Sequence, residues 1–227
     1  MKLSSAVVIA SAAVGGCASA HMVVPPDIGP ATEEVHVDGH TQSSGLFVKE
    51  DFKMGDFAVA NVSRGGKSTS TFGAFGGFKS SSETGYSFDL KQGADSLHGE
   101  CVSEASEGGF SLGAFTASNK MAKLGCACGN DAAPGVSVVM SASTTSDYGG
   151  AMKAHDATYQ IKAIYDRQGS LSSGGPAGYR IDGPGVIAAV DVLGPGQVWI
   201  AKGLADQQRK DVTCVLAGLM LYKPPKK

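Results

Sequence analysis

Three small groups of side chains in this 227-residue chain have the types and spacing to do chemistry. His36, Asp38 and His40 would share one face of an extended segment, and two imidazoles with a carboxylate are a metal-ligand set. Gly39 interrupts that segment, however, and Pro25, Pro26 and Pro30 precede it, so the reading is a solvated loop and no metal site is assigned. Asp147, His155 and Asp156 supply the acid and base of a hydrolase triad, but no G-x-S-x-G nucleophile elbow accompanies them. Glu100, Glu104 and Glu107 resemble the paired carboxylates of glycoside hydrolysis. That chemistry needs aromatic platforms, and the one tryptophan, Trp199, sits in an alternating strand where a core role fits it better. A solvated face accounts for the three glutamates. No catalytic residue and no cofactor is assigned on these grounds. Gly183-Pro184-Gly185 and Gly194-Pro195-Gly196 are turns without the strand-to-helix setting of a phosphate loop.

The cysteines form a second set. Cys101, Cys126, Cys128 and Cys214 fit no C-x-x-C zinc pair. Cys126 and Cys128 would lie on one face of a strand, about 6–7 Å apart, too far for easy mutual bonding. A bridge from Cys101 to one of them is easier. Three connectivities remain open for four cysteines, beside fully reduced buried thiols.

The fifth cysteine ends a leader. Lys2, the apolar run Ala6 to Val14 and the small residues after it have the three parts of an export signal. The run is too short to span a bilayer. Val14-Gly15-Gly16-Cys17 resembles the lipobox of bacterial lipoproteins. The resemblance implies cleavage before Cys17, acylation of Cys17 and, with Ala18 rather than Asp next to it, an address at the outer membrane facing the periplasm. Ala18-Ser19-Ala20 offers a rival cut, which would release a soluble periplasmic or secreted protein beginning at His21. Export places the four later cysteines where disulfides form and argues against thiolate metal ligands.

These residues are carried by a β-rich chain. Glycine is abundant, at 32 residues, and short alternating runs recur between Gly, Pro, Asp and Ser clusters. Such runs occupy 57–62, 86–90, 97–103, 110–115, 136–140, 159–165, 179–181, 186–193 and 198–200. The spacing predicts an antiparallel barrel, with a β-sandwich as the alternative. The organisation expected is a signal peptide over 1–16, a lipidated cysteine and extended tether over 17–45, and one β-rich domain over 46–227. Asp206 to Tyr222 reads as a helix, capped by Asp206 or Asp211, with a final central strand as the alternative. Val212 to Leu221 is apolar on nearly every face, so that helix must be buried all round. Without the leader, 18 Lys and Arg stand against 21 Asp and Glu, which gives no reason to expect nucleic acid.

Strands followed by a wholly apolar C-terminal helix resemble the tubby-like barrel shared with phospholipid scramblases. The residues that carry the resemblance are 53–62, the alternating runs around Cys101 and Cys126, Gly196 to Ile200, and Asp211 to Tyr222. It implies about a dozen strands closed around a central helix, over Phe52 to Tyr222. The familiar members are mostly intracellular, and an exported lipoprotein departs from that. No lipid-binding residue carries over, because no motif matches. The expected function is a non-enzymatic envelope lipoprotein, membrane-held through Cys17, that binds a partner protein or an apolar or lipid ligand. An exported hydrolase with a loop-built site and a passive structural protein are the alternatives.

Overall fold

A computed structural model describes residues 20–41, 50–66, 68–74, 77–112, 115–130, 133–143, 146–169 and 175–223. In chain order the elements are β1 (His21–Met22), α1 (Ile28–Ala31), β2 (Thr32–Val35), β3 (Val37–Asp38), β4 (Phe52–Met54), β5 (Phe57–Arg64), β6 (Ser68–Ala74), β7 (Gly77–Gln92), β8 (Asp95–Leu112), β9 (Phe115–Asn130), β10 (Ala133–Ser143), β11 (Ser146–Ala154), β12 (Ala157–Ile164), β13 (Arg167–Gln168), β14 (Gly178–Asp182), β15 (Val186–Asp191), β16 (Gln197–Ala201) and α2 (Asp206–Leu221).

One antiparallel sheet runs β2-β16-β15-β14-β12-β11-β10-β9-β8-β7-β5-β4-β3, with β6 added to β7. Its first and last strands, β2 and β3, are separated in the chain by His36 alone. The sheet therefore curls until its two ends meet, and the peptide itself bridges the seam. The Gly55 amide bonds the His36 carbonyl there at 2.9 Å. A curled sheet leaves few unpaired strand edges.

Alternation decides which side chains face inward. Ala122, Leu124, Cys126 and Cys128 on β9 and Val136, Val138, Met140 and Ala142 on β10 are buried, and their neighbours point out. The interior is filled by α2, in which every residue from Asp211 to Leu221 is buried. No side chain caps its start. Ala205 is the N-cap, and Asp206 sits in the first turn where a carboxylate favours the helix dipole. Asp211 lies a turn and a half further in. At the other terminus three side chains satisfy last-turn carbonyls. Tyr86 donates to Gly218 at 2.8 Å and Arg64 to Leu221 at 2.9 Å, while His40 Nε2 lies 3.3 Å from the Met220 carbonyl.

Both disulfides hold this centre. Cys101 and Cys126 face each other on β8 and β9 and are bonded. Cys128 bonds Cys214, two β9 residues beyond Cys126, and fixes α2 to the barrel wall. Gly218, one turn after Cys214, lies under the first bridge, where an added Cβ would come within 3.3 Å of Cys101 Sγ.

The expected tether is overturned over residues 20–41. Thr32 to Val35 and Val37 to Asp38 are barrel strands, and His21 to Ala31 lies across the outer wall. There Met22 and Ile28 join Ile164, Ala177, Ala189 and Trp199 in a second apolar cluster. Prolines and polar residues suggested solvation, but the buried positions of this stretch are single residues spaced between them. The covered wall also explains why β15 and β16 are buried almost throughout. Cys17 lies outside the described residues.

Candidate functional site

The barrel has two unlike ends. At one, the hairpins β4–β5, β7–β8 and β9–β10 surround the first turns of α2. A cleft of about 230 Å³ opens there. Leu90 and Leu97 form its apolar wall, and Gln92, Asn130 and Gln207 bring carboxamides to it. Lys210 on its edge pairs with Asp95, and that pairing lowers the Asp95 carboxyl. Deeper, Gln207 donates to Asp211 Oδ1 at 2.9 Å, and His155 Nε2 lies 3.2 Å from Oδ2. His155 reaches that position because it turns the β11–β12 hairpin with a positive φ of 50°.

At the other end α2 finishes among tyrosines. Tyr148 and Tyr222 pack edge to face with ring centroids 6.1 Å apart, and the Tyr165 hydroxyl accepts the Tyr148 amide at 3.0 Å. Burial raises the phenols of Tyr86, Tyr148, Tyr179 and Tyr222. Arg64 lies 5.4 Å over the Tyr86 ring and pairs with Glu50 at 2.7 Å. From this end a β arm projects. β10 ends where Ser143 meets Met121. β8 and β9 continue together from Ser106–Met121 to Leu112–Phe115, about 20 Å further, and β6 and β7 run beside them. Phe72, Phe78, Phe110 and Phe115 fall in the outer rows of the arm.

The sequence-derived groups are mostly dispersed. His36 and Asp38 are exposed and bond each other at 2.9 Å, whereas His40 is buried against Phe52. Gly39, at φ 81°, resets the alternation and turns His40 inward, which dissolves the trio. Among the described residues no group of three His, Cys, Asp or Glu side chains is placed to hold a metal ion. Asp147 opens β11 and His155 follows its far end, some eight residues or about 26 Å away, so the hydrolase set does not converge. Glu104 and Glu107 face their register partners Lys123 and Lys120 at 3.9 and 3.8 Å, and Glu100 is exposed, so a solvated ladder accounts for them. Trp199 is buried in the outer cluster rather than the barrel core.

Two buried carboxylates were not anticipated. Asp191 is fully buried and Asp211 nearly so. Their signal was an acid inside or at the edge of an apolar run, Val186 to Leu193 and Val212 to Leu221, where desolvation is costly unless partners are built in.

Comparison with protein-family models, with curated proteins and with solved structures finds no match. No helix among the described residues is long and apolar enough to cross a membrane.

Proposed function

We propose that the chain is an exported, non-enzymatic β-barrel of the bacterial cell envelope that meets a lipid surface with its arm-bearing end. One observation carries this. The aromatic rows of the arm, the end of α2 that leads to the C-terminal lysines, and the start of the docked chain at His21 all lie at the same end of the barrel. Phenylalanine partitions readily into the apolar side of a bilayer interface, and lysine is drawn to anionic headgroups. The chain ends Lys223-Pro224-Pro225-Lys226-Lys227. The resemblance to the tubby-like barrel belongs to the same reading.

Acylation of Cys17 is the second reading, favoured by the Val14 to Cys17 context. Only Ala18, Ser19 and Ala20 separate Cys17 from His21. Four Cα steps span at most about 14 Å, so an acylated chain would hold the arm-bearing end against the membrane, outer-leaflet or inner, with no long stand-off.

Vesicle sedimentation of residues 21–227 tests the leading reading without any acyl group. Binding to vesicles of phosphatidylcholine with phosphatidylglycerol is expected. It should weaken as salt rises and be lost when Phe78 and Phe110 are both replaced by Ser. Equal absence of binding to charged and neutral vesicles overturns it. Cys17→Ser tests the second reading: loss of the acyl mass and of membrane fractionation is expected, and unchanged fractionation refutes it.

A further inference from the structure

Two stretches of the barrel wall differ on their outer side. Over β15 and β16 the docked stretch His21 to Ala31 covers it, with Met22 and Ile28 packed on Ala189 and Trp199. Over β8, β9, β10 and β11 no described segment lies, and the outward face is apolar at its centre. Three of the four large apolar side chains exposed among the described residues, Val102, Met121 and Val139, stand on it. Val139 is 69% exposed. The strand register sets Val102, Gly125, Val139 and Ala151 in one row across the four strands. A Cβ at Gly125 would meet nothing within 4 Å, so a hole lies beside the most exposed side chain of the row.

Charge is divided across the same face. Glu83 and Glu100 stand on the β7–β8 side, and Lys153 and Lys162 on the β11–β12 side. The row beside the apolar one runs Glu100, Ala127, Ser137, Lys153. Three strand spacings, about 14 Å, separate its acid from its base. That is too far for pairing within one chain. Both are exposed, and among the described residues neither meets an opposite charge.

We infer that two copies of the chain join through this wall, about a two-fold axis that runs along the strands between β9 and β10. Such an axis lays β8 over the second copy's β11 and β9 over its β10, row for row. Val139 then enters the hole at the second copy's Gly125, and Val102 meets its Ala151. Glu100 falls on the second copy's Lys153. Glu83 falls on its Lys162, which already lies 3.3 Å from Asp182. Each contact occurs twice, as a two-fold interface requires, and in the three central rows no like charges oppose each other. Face-to-face sheets with nearly aligned strands are an ordinary packing. Six strands by four rows cover about 24 Å by 20 Å, or about 500 Å² per copy. That is the lower bound of specific interfaces, so the dissociation constant should be about 10–100 µM. Melts at about 2 µM therefore report on the single chain. The axis preserves strand direction, so both arms leave the dimer at one end. The inference rests on the fold alone, not on export or lipid contact.

Sedimentation velocity tests it on the chain from His21 to Lys227, which contains every element. Between about 2 and 300 µM the species should shift from monomer to dimer. V139D buries a charge in the joint and should weaken association about tenfold or more. E100K and K153E each set like charges opposite one another twice and should also weaken it about tenfold. The double variant E100K/K153E restores both pairs across the axis and should regain the wild-type constant. All three positions are on the outer face, so each variant should keep the wild-type circular dichroism spectrum. A monomer at every concentration overturns the inference. A dimer that V139D and E100K leave intact overturns it too, because the joint is then elsewhere. No recovery in the double variant refutes the axis and the inference with it. A monomer whose V139D variant loses vesicle binding gives the wall to lipid instead, and equally overturns it.

Discussion

At the scale of single residues, the positions that tolerate no change are those where backbone meets side chain. A Cβ at Gly178 would lie 2.1 Å from Met22 Sδ and 2.3 Å from the Val190 carbonyl. Gly178→Ala should therefore cost about 1–3 kcal/mol of overpacking and lower the midpoint of a thermal melt accordingly. Gly125→Ala is the control. Its Cβ meets nothing within 4 Å on the outer face of β9, and it should be neutral or raise the midpoint slightly by removing glycine's backbone freedom. His40 gives a pH-dependent counterpart. Burial holds its imidazole below the ordinary value, against the opposing Met220 and Gly194 carbonyls. The fold thus prefers the neutral ring. Its contribution is complete above about pH 6.5 and is lost as pH falls from there toward the lower folded value. The wild-type minus H40Q difference in midpoint should shrink between pH 7.5 and pH 5; a constant difference would show that His40 does not titrate in that window.

At the scale of elements, α2 is held by the wall rather than by its own sequence. Its start has no side-chain cap, and its end depends on Tyr86, His40 and Arg64 from three separate segments. The Cys128–Cys214 bridge spans 86 residues and Cys101–Cys126 spans 25. Loop-closure entropy then makes the first worth about 1 kcal/mol more than the second. Replacing the Cys128/Cys214 pair by Ala should lower the midpoint further than replacing the Cys101/Cys126 pair. Much of this level was legible beforehand. The alternating runs around Cys126 and over 136–140, and a helix apolar on all faces, dictate a wall and a plug. The pairing of Cys126 with Cys101 was one of the two partners favoured by reach. The bridge to Cys214 was not, because nothing local says which strand a buried helix will touch. The strands β2 and β3 were missed for a related reason. They are too short for a periodic signal and become strands only because β16 and β4 are there to pair with them. His40 was misplaced by one glycine, since a single positive φ at Gly39 shifts which side every later residue faces.

At the scale of the whole molecule, a barrel and an arm are built from the same strands. Beyond Ser106 and Met121 the arm loses β10 as a neighbour, so it adds little to the core. Deleting residues 109–118 and closing the ends with Asn-Gly should leave the melting midpoint within about 2 °C and both disulfides formed, while abolishing vesicle sedimentation. A collapse of the midpoint would mean that the arm nucleates the sheet. The seam at His36 bears on how such a chain is made. Gln197 reaches Glu34, 163 residues upstream, and β16 pairs with β2 along the same line. Strand β2, made early, must wait for the penultimate element before it finds its partner. Folding dominated by such distant pairs is slow, and the waiting edges invite wrong pairings. The time the chain spends open is thus set by the arrival of its own C-terminal strand.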